Sequence, residues 1–299
     1  MTYNPNHKTL VVISGPTSSG KTSLAIQTAL GLQTEIISAD SRQFYQEMTI
    51  GTAKPSKEEL ASVPHHFINS LSIADSYSAG DFEREALEKI HALFAKQDYV
   101  VMVGGSGLYI KAVTTGFDQF PDIPIEVREN LKLRLENEGL EALVADLHKL
   151  DPTYATEVDV NNSQRVIRAL EIINSTGESF SALRKKQEKP RNFQIKQFAI
   201  DWPRDVLYQR INERVEQMVA AGLEKEARGL YSQKHLNALQ TVGYAELFDF
   251  FDGKIDRNEA IRLIKRNTRR YAKRQLTWFR NQEQLTWLQP GDPLPTFNT

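Results

Sequence analysis

Short apolar runs alternate with amphipathic stretches through the first 115 residues. Residues 10–13, 35–38 and 99–103 are apolar runs of strand length. Between the last two runs, residues 81–94 carry apolar side chains at helical spacing, and Asp81 is a candidate N-cap for that helix. Strands that alternate with helices predict a mostly parallel sheet covered by helices on both faces.

The pattern changes after Gly116, where a turn-rich segment at residues 118–124 leads into a long helical region. The predicted helices there span residues 126–137, 139–150 and 163–175. Residues 193–202 then alternate as in a strand, and long helices follow as far as Arg280. We therefore predict an α/β core of residues 1–115 and 204–299, with an all-helical insertion domain at residues 116–203.

The last long helix is predicted over residues 257–280 and has two different sides. One side can pack on the core while the other presents cations. The residues near the packing line are Ile261, Ile264, Thr268, Tyr271, Gln275 and Phe279. Trp278 and Phe279, at the end of this helix, are interpreted as core anchors.

Composition is that of a globular protein, since 40% of the 299 residues are apolar and 25% are charged. The absence of cysteine excludes disulfides, thiolate metal sites and cysteine nucleophiles. Residues 1–8 are polar, and no apolar stretch approaches the roughly 18 residues of a membrane span. We therefore expect a soluble, cytoplasmic protein with no membrane partner.

The net charge of −1 hides a local excess of cations. Residues 260–282 contain eight basic residues and no acidic one; the basic residues are Arg262, Lys265, Arg266, Arg269, Arg270, Lys273, Arg274 and Arg280. Such a block is a candidate surface for a polyanion. For a basic run taken on its own, a solvated helix face is the more ordinary explanation.

Residues 15–22 form a complete G-x-x-x-x-G-K-[ST] phosphate loop between a predicted strand and a predicted helix. Its members are Gly15, Pro16, Thr17, Ser18, Ser19, Gly20, Lys21 and Thr22. The glycines allow a tight turn, so backbone N–H groups and the following helix form an anion cradle. Lys21 adds positive charge for the terminal phosphate, and the Thr22 hydroxyl can bind Mg²⁺. The motif predicts a polyphosphate ligand without specifying which one.

Asp40 follows one predicted strand, and the glycines at residues 104–107 follow another. Ligands bind at the carboxyl ends of parallel strands, so these segments and the phosphate loop should share one crevice. Three roles fit Asp40: a Mg²⁺ ligand beside Thr22, a general base, or a helix N-cap. Taken alone, Arg228 reads as a salt-bridged surface residue, and Gln164 and Arg165 read as an ordinary helix start.

The chain resembles the bacterial tRNA dimethylallyltransferase (tRNA isopentenyltransferase) family along nearly its whole length. The resemblance rests on separate segments that occur in the same order as in that family. They are residues 15–22, 38–43, 48–55, 63–66, 104–109, 162–171, 242–244 and 268–280. At Arg42, Gln43 and Phe44 the chain differs from the more apolar residues of some relatives.

The resemblance implies a P-loop NTPase-like parallel sheet core with a helical insertion that contacts tRNA. The implied reaction transfers a dimethylallyl group from dimethylallyl diphosphate to N6 of adenine 37, beside the anticodon, in an A36-A37-A38 context. The phosphate loop then holds the donor diphosphate with Mg²⁺, the metal being bound by Thr22. A monomer is expected.

The resemblance also implies roles for individual residues. Asp40 corresponds to the general base, and Thr17 and Arg228 correspond to positions near the diphosphate. The residues implied to contact tRNA are Asp40, Ser41, Gln43, Gln164, Arg165, Arg168, Arg269, Arg270 and Lys273. The target adenine is expected to flip out of its stack to reach the crevice.

Two other functions are compatible with the phosphate loop. A P-loop nucleotide or small-molecule kinase would use Lys21, Thr22 and a metal-binding Asp40, and it would consume ATP. A nucleotide-gated RNA-binding protein would bind tRNA without modifying it. The kinase alternative leaves the helical insertion and the basic last helix unexplained.

Overall fold

The computed structural model describes residues 8–118, 120–184, 189–282 and 284–294. The chain divides into two compact units. The first is formed by Met1–Thr115 and Pro190–Thr299, and the second by Gly116–Lys189.

A six-stranded, fully parallel sheet forms the centre of the first unit, with strand order β3-β2-β4-β1-β5-β6. The strands are β1 (Thr9–Ser14), β2 (Ile36–Ser38), β3 (His65–His66), β4 (Tyr99–Gly104), β5 (Gln194–Ile200) and β6 (Leu285–Leu288). The predicted parallel α/β architecture is confirmed.

Strand β1 is fully buried and contributes to a different core on each face of the sheet. Leu10 and Val12 pack into one apolar cluster, while Val11 and Ile13 pack into another. Successive side chains of a strand point to opposite faces, so a continuous apolar run serves both layers.

Helices of the first unit cover the sheet and the carboxyl ends of its strands. They are α1 (Lys21–Gly31), α2 (Lys57–Ser62), α3 (Ala79–Phe94), α4 (Gly107–Thr114), α9 (Arg204–Ala220), α10 (Leu223–Leu230), α11 (Ala245–Phe251) and α12 (Arg257–Arg280). Helix α3 begins earlier than predicted. Ser78 is its N-cap and Asp81 is the third helical residue, each binding the other's backbone in a capping box.

The second unit is helical throughout its described residues, with α5 (Ile125–Leu150), α6 (Pro152–Glu157), α7 (Ser163–Thr176) and α8 (Phe180–Leu183). Gly139 interrupts α5 with a φ of 80°, a left-handed conformation that favours glycine, at the break predicted between two helices. This unit has its own apolar core, which includes Leu143, Val166 and Phe180.

The insertion ends at residue 189, not at residue 203 as predicted. The strand-like segment at residues 193–202 belongs to the sheet, because β5 pairs with β1 in parallel along its length. Arg191 fixes this return to the core by donating to the carbonyl oxygen of Val113 at 2.8 Å. The prediction assigned this strand to the insertion because the strand follows a helical stretch of sequence. Its pairing with β1 is non-local, so the sequence pattern does not reveal it.

The C-terminal part of α12 closes over the loops at the strand ends. A Cβ on Gly105 would lie 2.4 Å from Nε2 of Gln275, and one on Gly107 would lie 2.2 Å from Nε1 of Trp278. Phe279 is buried and Trp278 packs against the same core cluster, so both are core anchors as predicted. In the described part of the chain, no helix has the length and apolar character of a membrane span.

Candidate active site

The phosphate loop connects β1 to α1 in the backbone conformation that its sequence predicts. Gly15, Ser18 and Gly20 have φ angles of 145°, 64° and 87°. Two of these positions are glycines, for which such angles carry little cost, whereas Ser18 is held in a conformation that side chains disfavour. The loop ends at the N-terminus of α1, where a helix favours anions.

Side chains from distant elements bind the outside of the phosphate loop. Trp202 donates to the carbonyl oxygen of Ser19 at 2.8 Å, and Arg210 donates to that of Ser18 at 2.9 Å. Gln275 accepts the backbone N–H of Thr17 at 2.9 Å. The buried hydroxyls of Ser18 and Ser19 have no hydrogen-bond partner among the described residues.

A cavity of about 510 Å³ opens beside this loop. Part of its wall is polar or charged and includes Thr17, Lys21, Thr22, Asp40, Arg214 and Gln275. Another part is apolar and includes Val215, Met218, Leu223, Val242 and Ile264, which pack in one core cluster. A second, polar cavity of about 380 Å³ shares Lys21, Thr22 and Arg214 with the first. The polar and apolar parts of the first cavity therefore suit a ligand that has one anionic and one apolar part.

Two half-buried cations face the cavity. Burial lowers the pKa of Lys21 to about 8, an effect that the Asp40 carboxylate opposes and Arg214 reinforces. Burial also lowers the pKa of Arg214, and Asp40 again opposes the shift. Desolvation disfavours both positive charges, so a polyanion would supply the missing counter-charge.

Arg214 is a candidate functional residue that the sequence analysis missed. One guanidinium nitrogen lies 3.5 Å from the hydroxyl of Thr17, and another donates to the carbonyl oxygen of Ala53 at 3.2 Å. Its only sequence signal is a position on the cavity side of α9, where Ile211, Val215 and Met218 recur at helical spacing. That pattern does not show which neighbouring arginine enters the cavity.

Arg228 lies elsewhere, on the exposed side of α10, and it does not line the cavity. Its guanidinium carbon is 3.7 Å from the centroid of the Phe251 ring. The prediction places Arg228 near the diphosphate. In the structure its guanidinium instead makes a cation–π contact with Phe251, away from the residues that line the cavity.

Asp40 lies in a turn directly after β2 and lines the cavity. Its carboxylate accepts the backbone N–H of Arg42 at 3.1 Å, a local bond typical of Asp in turns. No helix begins there, so the N-cap hypothesis is wrong. Burial and then the Asp40 carboxylate raise the pKa of Tyr271 to about 12. The same carboxylate opposes the burial that lowers the pKa of Lys21 and of Arg214.

The two other residues predicted in this turn also lie at the cavity. The backbone N–H of Ser41 donates to the hydroxyl of Ser106 at 3.0 Å. The amide of Gln43 donates to the carbonyl oxygens of Thr52 and Ala53, both at 3.2 Å. The turn is thereby joined to two other loops at the strand ends.

The basic block on α12 is partly neutralised by one acid on the same helix and by acids from other segments. Arg262 pairs with Glu259, Lys265 with Glu216 and Arg280 with Asp201. Of the residues predicted to contact tRNA, Arg269 donates to Asn212 at 2.6 Å. Arg270 and Lys273 are exposed and have no acidic partner among the described residues.

The remaining predicted tRNA contacts lie on α7 of the insertion. Gln164 and Arg165 are exposed in its first turn. Arg168 is bound to Glu171 at 3.1 Å and lies 5.8 Å from the centroid of the Phe120 ring. Arg165 is therefore a more available cation than Arg168.

No cluster of three or more histidine, aspartate or glutamate side chains suited to a metal occurs in the described residues. Thr22 and Asp40 supply oxygen donors to the same cavity. Mg²⁺ commonly binds one or two protein oxygens together with substrate phosphates and water. The residues present therefore fit a Mg²⁺ ion that arrives with a diphosphate.

Comparisons with known proteins agree on one family. The family model described as IPP transferase matches residues 43–282. A relative from Christiangramia forsetii, named tRNA dimethylallyltransferase, is 54% identical over 280 residues, covering 94% of this chain and 93% of the relative.

Two solved structures resemble the chain over most of its length. A full-length tRNA isopentenylpyrophosphate transferase from Bacillus halodurans has a TM-score of 0.70 and 41% identity, covering 94% of this chain and 90% of that one. A eukaryotic dimethylallyltransferase described as acting on tRNA has a TM-score of 0.79 and 27% identity, covering 95% of this chain and 74% of that one. With its phosphate loop, its cavity of mixed character and these similarities, the chain belongs to the IPP transferase family.

Proposed function

We propose that this chain transfers a dimethylallyl group from dimethylallyl diphosphate to N6 of adenine 37 in tRNA. The products are N6-isopentenyladenosine and diphosphate. The observation that carries the proposal is the shared cavity, in which two desolvated cations and a carboxylate adjoin an apolar wall. The cations suit the diphosphate, the carboxylate suits the amine nucleophile, and the apolar wall suits the prenyl chain.

The leaving diphosphate is bound by the phosphate loop. Backbone N–H groups, Lys21 and Arg214 offset the charge that develops on the leaving oxygen as the bond to the allylic carbon breaks. Thr22 would hold Mg²⁺ together with diphosphate oxygens. When bound, that ion supplies Lewis-acid stabilisation of the leaving group.

Asp40 is the general base of the proposed reaction. The N6 lone pair attacks the allylic carbon, the electrons of the broken bond leave with diphosphate, and the excess proton on N6 moves to the Asp40 carboxylate. The carboxylate binds one backbone N–H and lines the cavity, so it has remaining acceptor capacity for this proton.

The tRNA is bound by exposed cations and reaches the cavity by base flipping. Arg270 and Lys273 on α12 and Arg165 on α7 are available for phosphate contacts. An adenine stacked in the anticodon loop cannot enter a cavity, so the target base must leave its stack. Ser41 and Gln43 lie at the cavity wall beside Asp40 and would meet the nucleotide there.

Prenyl transfer is tested with purified protein, Mg²⁺, dimethylallyl diphosphate and unmodified tRNA that carries A36-A37-A38. The tRNA is digested and its nucleosides are analysed by mass spectrometry. We expect one dimethylallyl group on adenosine with the wild type and none with Asp40→Asn, although that variant should still bind inorganic diphosphate. Unmodified tRNA, with ATP consumed in a parallel reaction, would instead support a kinase.

A further inference from the structure

Glu226, on α10, binds four hydrogen-bond donors with one carboxylate. One oxygen accepts the backbone N–H groups of Thr49 and Ile50 at 3.1 and 2.8 Å. The other accepts the N–H of Gly51 at 3.0 Å and the hydroxyl of Tyr244 at 2.6 Å. Three consecutive N–H groups form the kind of concavity that binds external anions. Here the protein's own carboxylate occupies it.

Tyr244 holds the same turn from the other side. A Cβ on Gly51 would lie 2.5 Å from the Tyr244 ring, so only glycine allows this close approach. Burial, and then the hydrogen bond to Glu226, raise the pKa of Tyr244, which keeps its hydroxyl protonated as a donor. Glu226 and Tyr244 therefore fix the position of the turn formed by residues 49–53.

The end of that turn contacts the active-site arginine. The carbonyl oxygen of Ala53 accepts from Arg214 and from Gln43, each at 3.2 Å. Ala53 has a φ of 48°, a left-handed conformation that the surrounding contacts must maintain. Gly51, Thr52 and Ala53 line the cavity, whereas Glu226 does not.

We propose that Glu226 is a positioning residue for prenyl transfer, because it holds the 49–53 turn so that Ala53 keeps Arg214 against the phosphate loop. The inference rests on the proposed function and deepens it. It assigns a role to the segment at residues 48–55, which the phosphate loop and Asp40 leave unexplained. Glu226 touches no substrate and acts on diphosphate only through Arg214.

The test is a double-mutant cycle in which binding of inorganic diphosphate with Mg²⁺ is measured by titration calorimetry. Glu226→Gln keeps the side-chain shape but turns an amide N–H toward groups that are themselves donors. We expect about tenfold weaker diphosphate binding in the wild-type background, because a displaced turn removes part of the charged hydrogen bonding between Arg214 and diphosphate, and such bonds contribute free energy of this order. In an Arg214→Ala background, Glu226→Gln should cause no further loss.

A second variant moves the turn without altering Glu226. Gly51→Ala forces its Cβ against Tyr244 and should give the same loss, again absent in the Arg214→Ala background. Glu224→Gln is the matched control, because Glu224 lies on the same helix and binds Arg257 at 2.8 Å on the surface. Its diphosphate affinity should equal that of the wild type.

Equal losses from Glu226→Gln in both backgrounds, or no loss in either, would overturn the positioning role. The same holds for Gly51→Ala, which keeps the inference testable if Glu226→Gln does not fold. Diphosphate binding requires neither tRNA nor a prenyl group. A wild type that binds diphosphate but modifies no tRNA would therefore count against the proposed function, and it would leave the cycle interpretable.

Discussion

At the scale of single residues, the active site depends on two cations and one carboxylate that share a cavity. Lys21 and Arg214 are both desolvated. Asp40 opposes the effect of burial on both pKa values, and Glu59 adds a smaller opposing effect at Arg214. A diphosphate brings additional negative charge to this place. Diphosphate binding should therefore draw much of its free energy from Lys21 and Arg214, whose positive charges are incompletely neutralised without the ligand.

Arg214→Ala and Arg228→Ala remove the same charge from neighbouring helices and should have different effects. We expect Arg214→Ala to weaken diphosphate binding roughly ten- to a hundredfold, as for the loss of a charged hydrogen bond. Arg228→Ala should leave the affinity unchanged, because that side chain stacks on Phe251. Titration of both variants with inorganic diphosphate measures the difference. A loss confined to Arg228→Ala would restore the role predicted from the sequence.

The difference between Lys21 and Arg214 shows what could be predicted from local sequence. Lys21 belongs to a contiguous motif whose backbone geometry fixes where its side chain lies. Arg214 is one of several arginines on α9, and only the tertiary packing of that helix selects it. Gln275 was partly predictable, because it is a polar residue on the side of α12 that packs on the core. Such a residue has to find a partner inside the protein.

At the scale of elements, α12 combines an internal contact to the phosphate loop with an external basic surface. Its buried side carries Ile264, Gln275 and Phe279. Its exposed side retains Arg270 and Lys273 without acidic partners among the described residues, whereas Arg262 and Lys265 are paired. Of these four residues, only Arg270 and Lys273 should release counterions when a phosphate backbone binds.

Replacement of Arg270 and Lys273 by alanine should weaken tRNA binding and reduce its dependence on salt. Two lost phosphate contacts correspond to a change of roughly one and a half units in the slope of log affinity against log salt. The matched control replaces Arg262 and Lys265, one arginine and one lysine on the same helix. Filter binding at several salt concentrations compares the two, and similar slopes would contradict the assignment of this face.

Elements were predictable where they are long and periodic. The ends of α12 and the break at Gly139 follow from sequence, because helical spacing and glycine act locally. Strand β3 has two residues and β6 has four, and neither gave a recognisable pattern. Their positions depend on backbone pairing with β2 and β5, which sequence spacing does not encode.

At the scale of the whole molecule, the described residues that line the active-site cavity belong to the first unit. Each of them lies outside Gly116–Lys189. The chain leaves and re-enters this unit at one place, since Arg191 binds the carbonyl oxygen of Val113. The second unit has a separate apolar core.

Replacing residues 116–189 with a short Gly/Ser linker should leave diphosphate affinity within about twofold of the wild type, as is common for domains inserted at adjacent chain positions. Calorimetric titration tests this, with circular dichroism as the check on folding. A folded deletion variant that does not bind diphosphate would show that the cavity needs the insertion. Any accompanying loss of tRNA affinity would measure what the insertion contributes to RNA binding.

The hydrogen bond between Thr17 and Gln275 also has a consequence for protein synthesis. Translation produces the phosphate loop 258 residues before its partner on α12, and β1 cannot pair with β5 until the insertion has been made. Contacts of such long sequence separation form slowly. A growing chain, or one released early by a premature stop codon, would therefore carry the complete phosphate-binding motif without a working binding site.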